Sequence, residues 1–280
     1  MLVSRRNLLV GLGGLGFVSC ERAEAVDAAP RRHEIAHPAK AQAKIEFFLQ
    51  APATSGPHPS LILLHGHQPG NMTPGGQVFV QWGELARLSA KGFAVAAVSL
   101  AGFGGSTGPK DFAGPFTQAA VGAVIAHLEK TGVARPNSAV VQGISLGAVT
   151  GAILAVREAR IAGLVLISGA YDLPSLFANR ARKGVGEVLF EFNRQTGGSL
   201  SAMQDRSALL FASQIKARTL ILNGAQDDRT DPAQSELLRD AIRAGGGQAE
   251  SVIYADYGHA IPPQIRQARV DAFLEQFLKG

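Results

Sequence analysis

Cysteine and aromatic residues are scarce in this chain, which has one cysteine among 280 residues and 6% aromatic residues. A single cysteine cannot form a disulfide within one chain, so a small disulfide-stabilised scaffold is excluded. Hydrophobic residues still make up 46% of the sequence, so the core must be built mainly from aliphatic side chains. That composition is typical of a buried, mostly parallel β-sheet covered by helices.

Clustered positive charge is also scarce. The net charge of +5 is the balance of 27 basic and 22 acidic side chains. The basic residues are scattered, apart from Arg180, Arg182 and Lys183, and no aromatic-lined basic groove accompanies them. The sequence therefore predicts no nucleic-acid partner.

The N-terminus has no apolar run long enough to span a membrane. An uncharged stretch from Leu8 to Val18 follows Arg5 and Arg6, whereas a spanning helix needs about 20 apolar residues. A twin-arginine pair before a short apolar run is typical of a bacterial export signal. We predict such a signal over residues 1–25 and a protein exported to the periplasm.

Two processing sites fit this signal, and the sequence leaves both open. Phe17-Val18-Ser19-Cys20 is similar to a lipobox, in which Cys20 would carry a lipid and tether the protein to a membrane. Cleavage after Ala23-Glu24-Ala25 fits the small-x-small rule and would release a soluble protein. Residues 26–43 are rich in alanine, proline and charge without a period, and are predicted to be a linker.

From residue 44 onward, short apolar strands alternate with helical segments. This alternation predicts an α/β fold with a mostly parallel central sheet and helices on both faces. A long segment without a strand, over about 173–213, is predicted to be a small helical insertion beside the pocket. Strands are expected at 44–50, 61–64, 93–99, 138–142, 162–168, 219–222 and 249–254. Helices are expected at 78–91, 116–130, 146–158, 233–244 and 263–278.

A candidate nucleophile lies in the G-x-S-x-G pattern, which places serine on a sharp turn from a strand to a helix. The sequence has two matches, Gly143-Ile144-Ser145-Leu146-Gly147 and Gly104-Gly105-Ser106-Thr107-Gly108. Pro109 and Pro115 follow the second match and oppose the required helix, whereas an apolar helical pattern follows the first. We therefore predict Ser145, rather than Ser106, as the nucleophile.

Serine is a weak nucleophile near neutral pH and needs a base within hydrogen-bonding reach. His259 lies in the loop after the last predicted strand, where such folds place the base. A carboxylate must orient the imidazole, and Asp227 follows the strand at 219–222 in the order serine, aspartate, histidine. Asp228 and Asp231 are the alternatives to Asp227.

The loop after the strand at 61–64 is the expected source of one oxyanion donor. The backbone N–H of His67 is the predicted donor there, and the N–H of Leu146 is the second. Pro69 has no N–H and cannot serve. His65 and His67 have the spacing of two zinc ligands, but no third ligand follows at metal-site spacing. The sequence predicts neither a metal nor a cofactor.

Taken together, these residues resemble the α/β-hydrolase superfamily, and within it the branch of the dienelactone hydrolases, acetyl xylan esterases and prolyl oligopeptidases. The likeness spans about Lys44 to Leu278. It is carried by Gly56-Pro57-His58-Pro59, His65-Gly66, Gly102-Phe103-Gly104-Gly105-Ser106, the elbow at Ser145, Gly224-x-x-Asp227-Asp228-Arg229 and Gly258-His259. The resemblance implies an α/β-hydrolase fold, Asp227 as the acid of the triad and Arg229 as a residue that can bind substrate.

The chain departs from true oligopeptidases at two points. We expect no N-terminal propeller in this chain, and His67-Gln68-Pro69 replaces their usual Gly-Gly-Pro. We therefore expect a serine hydrolase that cleaves carboxylic esters through an acyl-serine. The alternatives are an aminopeptidase like the prolyl oligopeptidases and a non-catalytic binding protein that keeps the fold. The expected partner is a small ester or short peptide, and the sequence does not determine the oligomeric state.

Overall fold

The computed structural model describes residues 29–70, 73–179 and 181–279. The predicted export signal and Cys20 lie outside these residues, so export and lipid attachment stay predictions. Within the described ranges, no helix is both long enough and apolar enough to cross a membrane.

An eight-stranded sheet forms the centre of the fold. Its strands are β1 (Arg31–His37), β2 (Lys40–Gln50), β3 (Ser60–Leu64), β4 (Ala94–Val98), β5 (Ala139–Ile144), β6 (Ile161–Ile167), β7 (Arg218–Gly224) and β8 (Ala249–Tyr254). They lie in the order β1-β2-β4-β3-β5-β6-β7-β8. The β1–β2 and β2–β4 pairs are antiparallel and the other pairs are parallel, so the predicted mostly parallel sheet is confirmed.

Helices cover both faces of the sheet. They are α1 (Gln77–Gln81), α2 (Glu84–Ser89), α3 (Pro115–Lys130), α4 (Leu146–Ala155), α5 (Leu173–Ala178), α6 (Val185–Thr196), α7 (Leu200–Gln204), α8 (Ala233–Ala244) and α9 (Pro263–Leu274). Short 3-10 helices follow at Ala208–Gln214 and Glu275–Phe277. The segment between β6 and β7 thus contains α5, α6, α7 and a 3-10 helix, where the sequence predicts the insertion.

The apolar strands divide their side chains between two cores. All five residues of β3 are buried, and successive side chains on a strand point to opposite faces. Ile62 and Leu64 pack in the core that includes residues of α3, α4 and α8. Leu61 and Leu63 pack in the core that includes residues of α1, α2 and α9. Each fully buried aliphatic side chain contributes about 1.5–3 kcal/mol to stability, which explains the unbroken apolar run Leu61–Leu64 within β3.

The predicted linker over residues 26–43 is wrong for most of its length. β1 and the start of β2 occupy it, and they pair as an antiparallel hairpin at the edge of the sheet. Exposed residues alternate with partly buried ones along β1, because one face of this edge hairpin is open to solvent. Charged residues at a sheet edge oppose further strand pairing. The same charged residues make the sequence of this hairpin similar in composition to a linker.

The single helix predicted over residues 78–91 is divided in two. Gly83 separates α1 from α2 with a φ of 72°, a conformation that glycine adopts without steric cost. The Trp82 side chain before it is 59% exposed and packs edge-on against Phe79, with ring centroids 5.5 Å apart.

A buried carboxylate connects the edge hairpin to the centre of the sheet. Glu46 of β2 accepts hydrogen bonds from the Ser99 hydroxyl at 2.7 Å and from the Gly105 N–H at 2.8 Å. Arg32 forms an ion pair with the same carboxylate. Burial acts to raise the pKa of Glu46, but the three donors outweigh burial and hold the pKa below its ordinary value.

Replacing Glu46 by glutamine is expected to lower the free energy of unfolding near neutral pH by about 1–3 kcal/mol. The folded-state pKa of Glu46 is depressed, so the ionised carboxylate stabilises the fold above the ordinary glutamate pKa. This contribution is lost as the pH falls through the folded-state pKa. Urea unfolding of the wild type and Glu46→Gln across the acid range should show the difference shrinking with falling pH. A difference independent of pH would contradict the assignment.

Candidate active site

Ser145 lies on the tight turn from β5 to α4. The backbone conformation at this turn is one that few residues other than glycine adopt. The Ser145 backbone has φ 52° and ψ −113°, a strained conformation for a residue other than glycine. A Cβ on Gly143 would lie 2.2 Å from the carbonyl oxygen of Gly147. One on Gly147 would lie 2.2 Å from the carbonyl oxygen of Leu64. Both flanking glycines are therefore required by close packing of the backbone.

The structure brings Ser145, His259 and Asp227 together. The Nε2 atom of His259 lies 3.0 Å from the Ser145 Oγ. Its Nδ1 atom lies 2.9 and 3.1 Å from the two carboxylate oxygens of Asp227. With the proton on Nδ1, the imidazole donates to Asp227 and presents the Nε2 lone pair to the serine hydroxyl.

Asp227 has no exposed surface, and its carboxylate accepts several hydrogen bonds besides that from His259. The backbone N–H groups of Arg229 and Thr230 each donate to Oδ1 at 2.9 Å. The Thr230 hydroxyl donates to Oδ2 at 2.6 Å, and the Asn223 amide lies 3.3 Å from the same oxygen. Burial alone would raise the pKa of Asp227, but hydrogen bonds and the nearby imidazole lower it below its ordinary value.

The two alternative carboxylates are directed elsewhere. The Asp228 side chain is exposed, and its backbone carbonyl accepts a hydrogen bond from the N–H of Gly184 at 3.0 Å. The Asp231 carboxylate accepts hydrogen bonds from Arg182 and from the backbone N–H of Ala233, both at 3.1 Å.

Ser106, in the second G-x-S-x-G match, is buried, and its hydroxyl is hydrogen-bonded to two backbone groups. Its hydroxyl donates to the Ser99 carbonyl at 2.7 Å and accepts from the Glu46 N–H at 2.8 Å. A Cβ at Gly105 would lie 2.5 Å from a carboxylate oxygen of Glu46. This match therefore reflects packing around Glu46.

The two predicted oxyanion donors lie beside Ser145, the predicted nucleophile. Gly66 passes so close to the elbow that a Cβ there would lie 3.4 Å from the Ser145 Cβ, and His67 follows it. Leu146 is the first residue of α4, so its N–H has no carbonyl one turn earlier to bind. The positive end of the helix dipole lies at the same place. His67 and Leu146 line the same cavity as Ser145.

His65 holds the loop that carries His67. Its Nδ1 lies 2.8 Å from the Gly66 carbonyl oxygen, and its Nε2 accepts a hydrogen bond from the Leu100 N–H at 3.1 Å. Burial lowers the pKa of His65 to about 4, so the imidazole is neutral and both ring nitrogens are occupied. Within the ranges that the structure describes, no group of three or more His, Cys, Asp or Glu residues is placed to hold a metal ion.

A cavity of about 530 Å³ opens onto the Ser145 hydroxyl. Most of its wall is apolar, and α6 of the insertion forms one side of it. Carboxylates from α6 and the guanidinium of Arg229 supply its charged groups. The lining residues are His67, Pro69, Phe112, Ser145, Leu146, Val149, Ala170, Gly186, Glu187, Val188, Phe190, Glu191, Arg229, Thr230 and His259.

The contacts between the insertion and the turn that follows β7 could not be predicted from the sequence. Arg182 donates to the backbone carbonyl of Asp227 at 2.7 Å and to the Asp231 carboxylate at 3.1 Å. Arg229 forms an ion pair with Glu187 of α6 at 3.2 Å. These residues are far apart in sequence and carry no local pattern, so only the fold reveals the contact.

Solved structures share this fold. A Pyrococcus horikoshii acylaminoacyl peptidase has a TM-score of 0.71 and 17% identity, over 89% of this chain and 41% of its own. An esterase of Pyrococcus furiosus has a TM-score of 0.66 and 17% identity, over 89% of this chain and 91% of its own. A 2,6-dihydroxy-pseudo-oxynicotine hydrolase has a TM-score of 0.68 and 20% identity, over 89% of this chain and 68% of its own.

These matches confirm the predicted α/β-hydrolase fold. Residues 83–280 match the sequence profile of the prolyl oligopeptidase family. The match covers well over half of the chain, which therefore belongs to that family. This chain spans about two fifths of the length of the acylaminoacyl peptidase. No protein with a curated description matches it significantly.

Proposed function

We propose that this protein hydrolyses carboxylic esters through an acyl-serine intermediate, with Ser145 as nucleophile, His259 as base and Asp227 as the orienting acid. The observation that carries this proposal is the unbroken hydrogen-bonded series from Asp227 through His259 to Ser145. The series ends at the wall of a mostly apolar cavity large enough for a small substrate.

In the first half of the reaction, His259 Nε2 takes the proton of Ser145 as Oγ attacks the ester carbonyl. The imidazolium that forms faces the ionised carboxylate of Asp227. The carbonyl oxygen becomes an oxyanion, which the N–H groups of His67 and Leu146 would bind. The depressed pKa of Asp227 favours the carboxylate that this step needs.

The second half returns the enzyme to its starting state. His259 gives its proton to the leaving alkoxide, and an alcohol departs from the acyl-Ser145. Water then loses a proton to His259 and attacks the acyl carbon, and the carboxylic acid leaves as Ser145 regains its proton. Atoms and protons balance with water as the only co-reactant.

Two observations favour an ester over a peptide. The esterase of Pyrococcus furiosus is matched over 91% of its own length, whereas the acylaminoacyl peptidase is matched over 41%. The apolar wall formed by Phe112, Leu146, Val149 and Ala170 suits an acyl group without charge.

Arg229 supports the second candidate, an aminopeptidase. Its side chain is about half exposed and lines the cavity, so its guanidinium could donate to a peptide carbonyl. Family membership favours this candidate as well. The hydrogen-bonded triad gives no support to the third candidate, a non-catalytic binding protein.

Turnover of short-chain nitrophenyl esters and of aminoacyl anilides by the same preparation separates the first two candidates. We expect the esters to be cleaved with a larger kcat/KM than the anilides, and Ser145→Ala to abolish both activities. The matched control Ser106→Ala should keep the ratio of the two activities. Cleavage of the anilides alone would contradict the esterase proposal.

Replacing Asp227 by asparagine is expected to lower kcat by about 10³–10⁴-fold, because the amide favours the wrong imidazole tautomer. Asp228→Asn is the matched control, since it changes the neighbouring exposed carboxylate in the same way. Steady-state kinetics on one nitrophenyl ester compare the two variants. A large loss in Asp228→Asn, with little loss in Asp227→Asn, would overturn the assignment of the acid.

A further inference from the structure

We propose that Phe112 determines which acyl groups the site accepts, because it lines the cavity beside Ser145 and the insertion fixes it there. This inference rests on the proposed ester hydrolysis, since it concerns the acyl group bound beside Ser145. Phe112 lies in the loop between β4 and α3, and it lines the cavity together with Ser145, Leu146 and Val149.

Core aromatic residues support the Phe112 ring from behind. The ring packs edge-on against Phe192, with centroids 5.3 Å apart and an interplanar angle of 84°. Phe192 has no exposed surface, and it also packs against Phe177 at 5.3 Å. Because protein cores are close-packed, the Phe112 ring cannot move away into the core to admit a longer acyl group.

The backbone under this ring adopts a conformation that a phenylalanine rarely takes. Phe112 has a φ of 48° and Ala113 a φ of 61°, so two successive residues other than glycine lie in the left-handed region. Such strain persists only where the surroundings over-determine the conformation, and it concentrates at functional sites. The strained segment here forms part of the substrate cavity.

Two side chains of the insertion hold the strained residue at both of its backbone polar groups. Gln195 of α6 accepts a hydrogen bond from the Phe112 N–H at 2.9 Å. Arg206, which is 7% exposed, donates to the Phe112 carbonyl at 2.9 Å and to the Asp111 carbonyl at 3.0 Å. It also donates to the Ala202 carbonyl at 2.9 Å, which ties the loop to α7.

The insertion therefore acts on specificity in two ways. α6 lines one side of the cavity directly through Glu187, Val188 and Glu191. Gln195 and Arg206 also fix the position of Phe112. A smaller side chain at 112 would extend the cavity while leaving Ser145, His259 and Asp227 unchanged.

The test compares kcat/KM for nitrophenyl decanoate and nitrophenyl butyrate. Phe112→Ala is expected to raise the decanoate-to-butyrate ratio of kcat/KM about tenfold or more. The reason is that each methylene group bound in an apolar pocket changes kcat/KM by about tenfold or more. Phe112→Leu, which keeps most of the side-chain volume, should raise the ratio less. If Phe112→Ala fails to fold, the comparison is made with Phe112→Leu alone.

Phe177→Leu is the matched control, because it removes a ring from the same aromatic cluster without changing the cavity wall. Its ratio should equal that of the wild type even if its melting temperature falls. An unchanged ratio in both Phe112 variants, or an equal rise in Phe177→Leu, would overturn the assignment of Phe112.

Labelling of the wild type by a fluorophosphonate separates two outcomes: a wrong assignment of Phe112 and a wrong proposal of ester hydrolysis. Wild-type protein that reacts at Ser145 while the Phe112 variants keep the wild-type ratio contradicts only the role of Phe112. Wild-type protein that does not react at Ser145 contradicts the ester hydrolysis on which that role depends.

Discussion

A carboxylate without exposed surface is stable only when protein donors replace the water it has lost. Asp227 is such a group, and its donors come from the turn that follows β7 and from His259. Removing these donors would leave a buried, unpaired charge, so the turn and the imidazole are held in one arrangement. The position of His259, and through it the hydrogen bond to Ser145, depends on this constraint.

The insertion between β6 and β7 is attached to the site by two guanidinium groups. Arg182 binds the turn that contains Asp227, and Arg206 binds the strained loop that contains Phe112. One contact supports the turn of Asp227, the proposed acid, and the other supports the cavity wall. The insertion therefore connects the catalytic arrangement that we propose with the shape of the substrate cavity.

Much of the central fold could be predicted because its signals are local. The apolar runs of β3 and β5 and the uninterrupted helix after Ser145 are visible in short windows. β1 could not be predicted, because its few buried positions depend on pairing with β2 and on the edge of a sheet. The contact between Phe112 and Arg206 joins residues 94 positions apart, and no pattern in either segment indicates it.

A crystal structure of the protein after reaction with a phosphonate ester would show whether Ser145 is the nucleophile. We expect a covalent bond between phosphorus and the Ser145 Oγ, with a phosphoryl oxygen within hydrogen-bonding distance of the His67 and Leu146 N–H groups. His259 should remain bound to Asp227 in that structure. An adduct on another residue would show that Ser145 is not the nucleophile, and a phosphoryl oxygen directed away from both N–H groups would rule them out as the oxyanion donors.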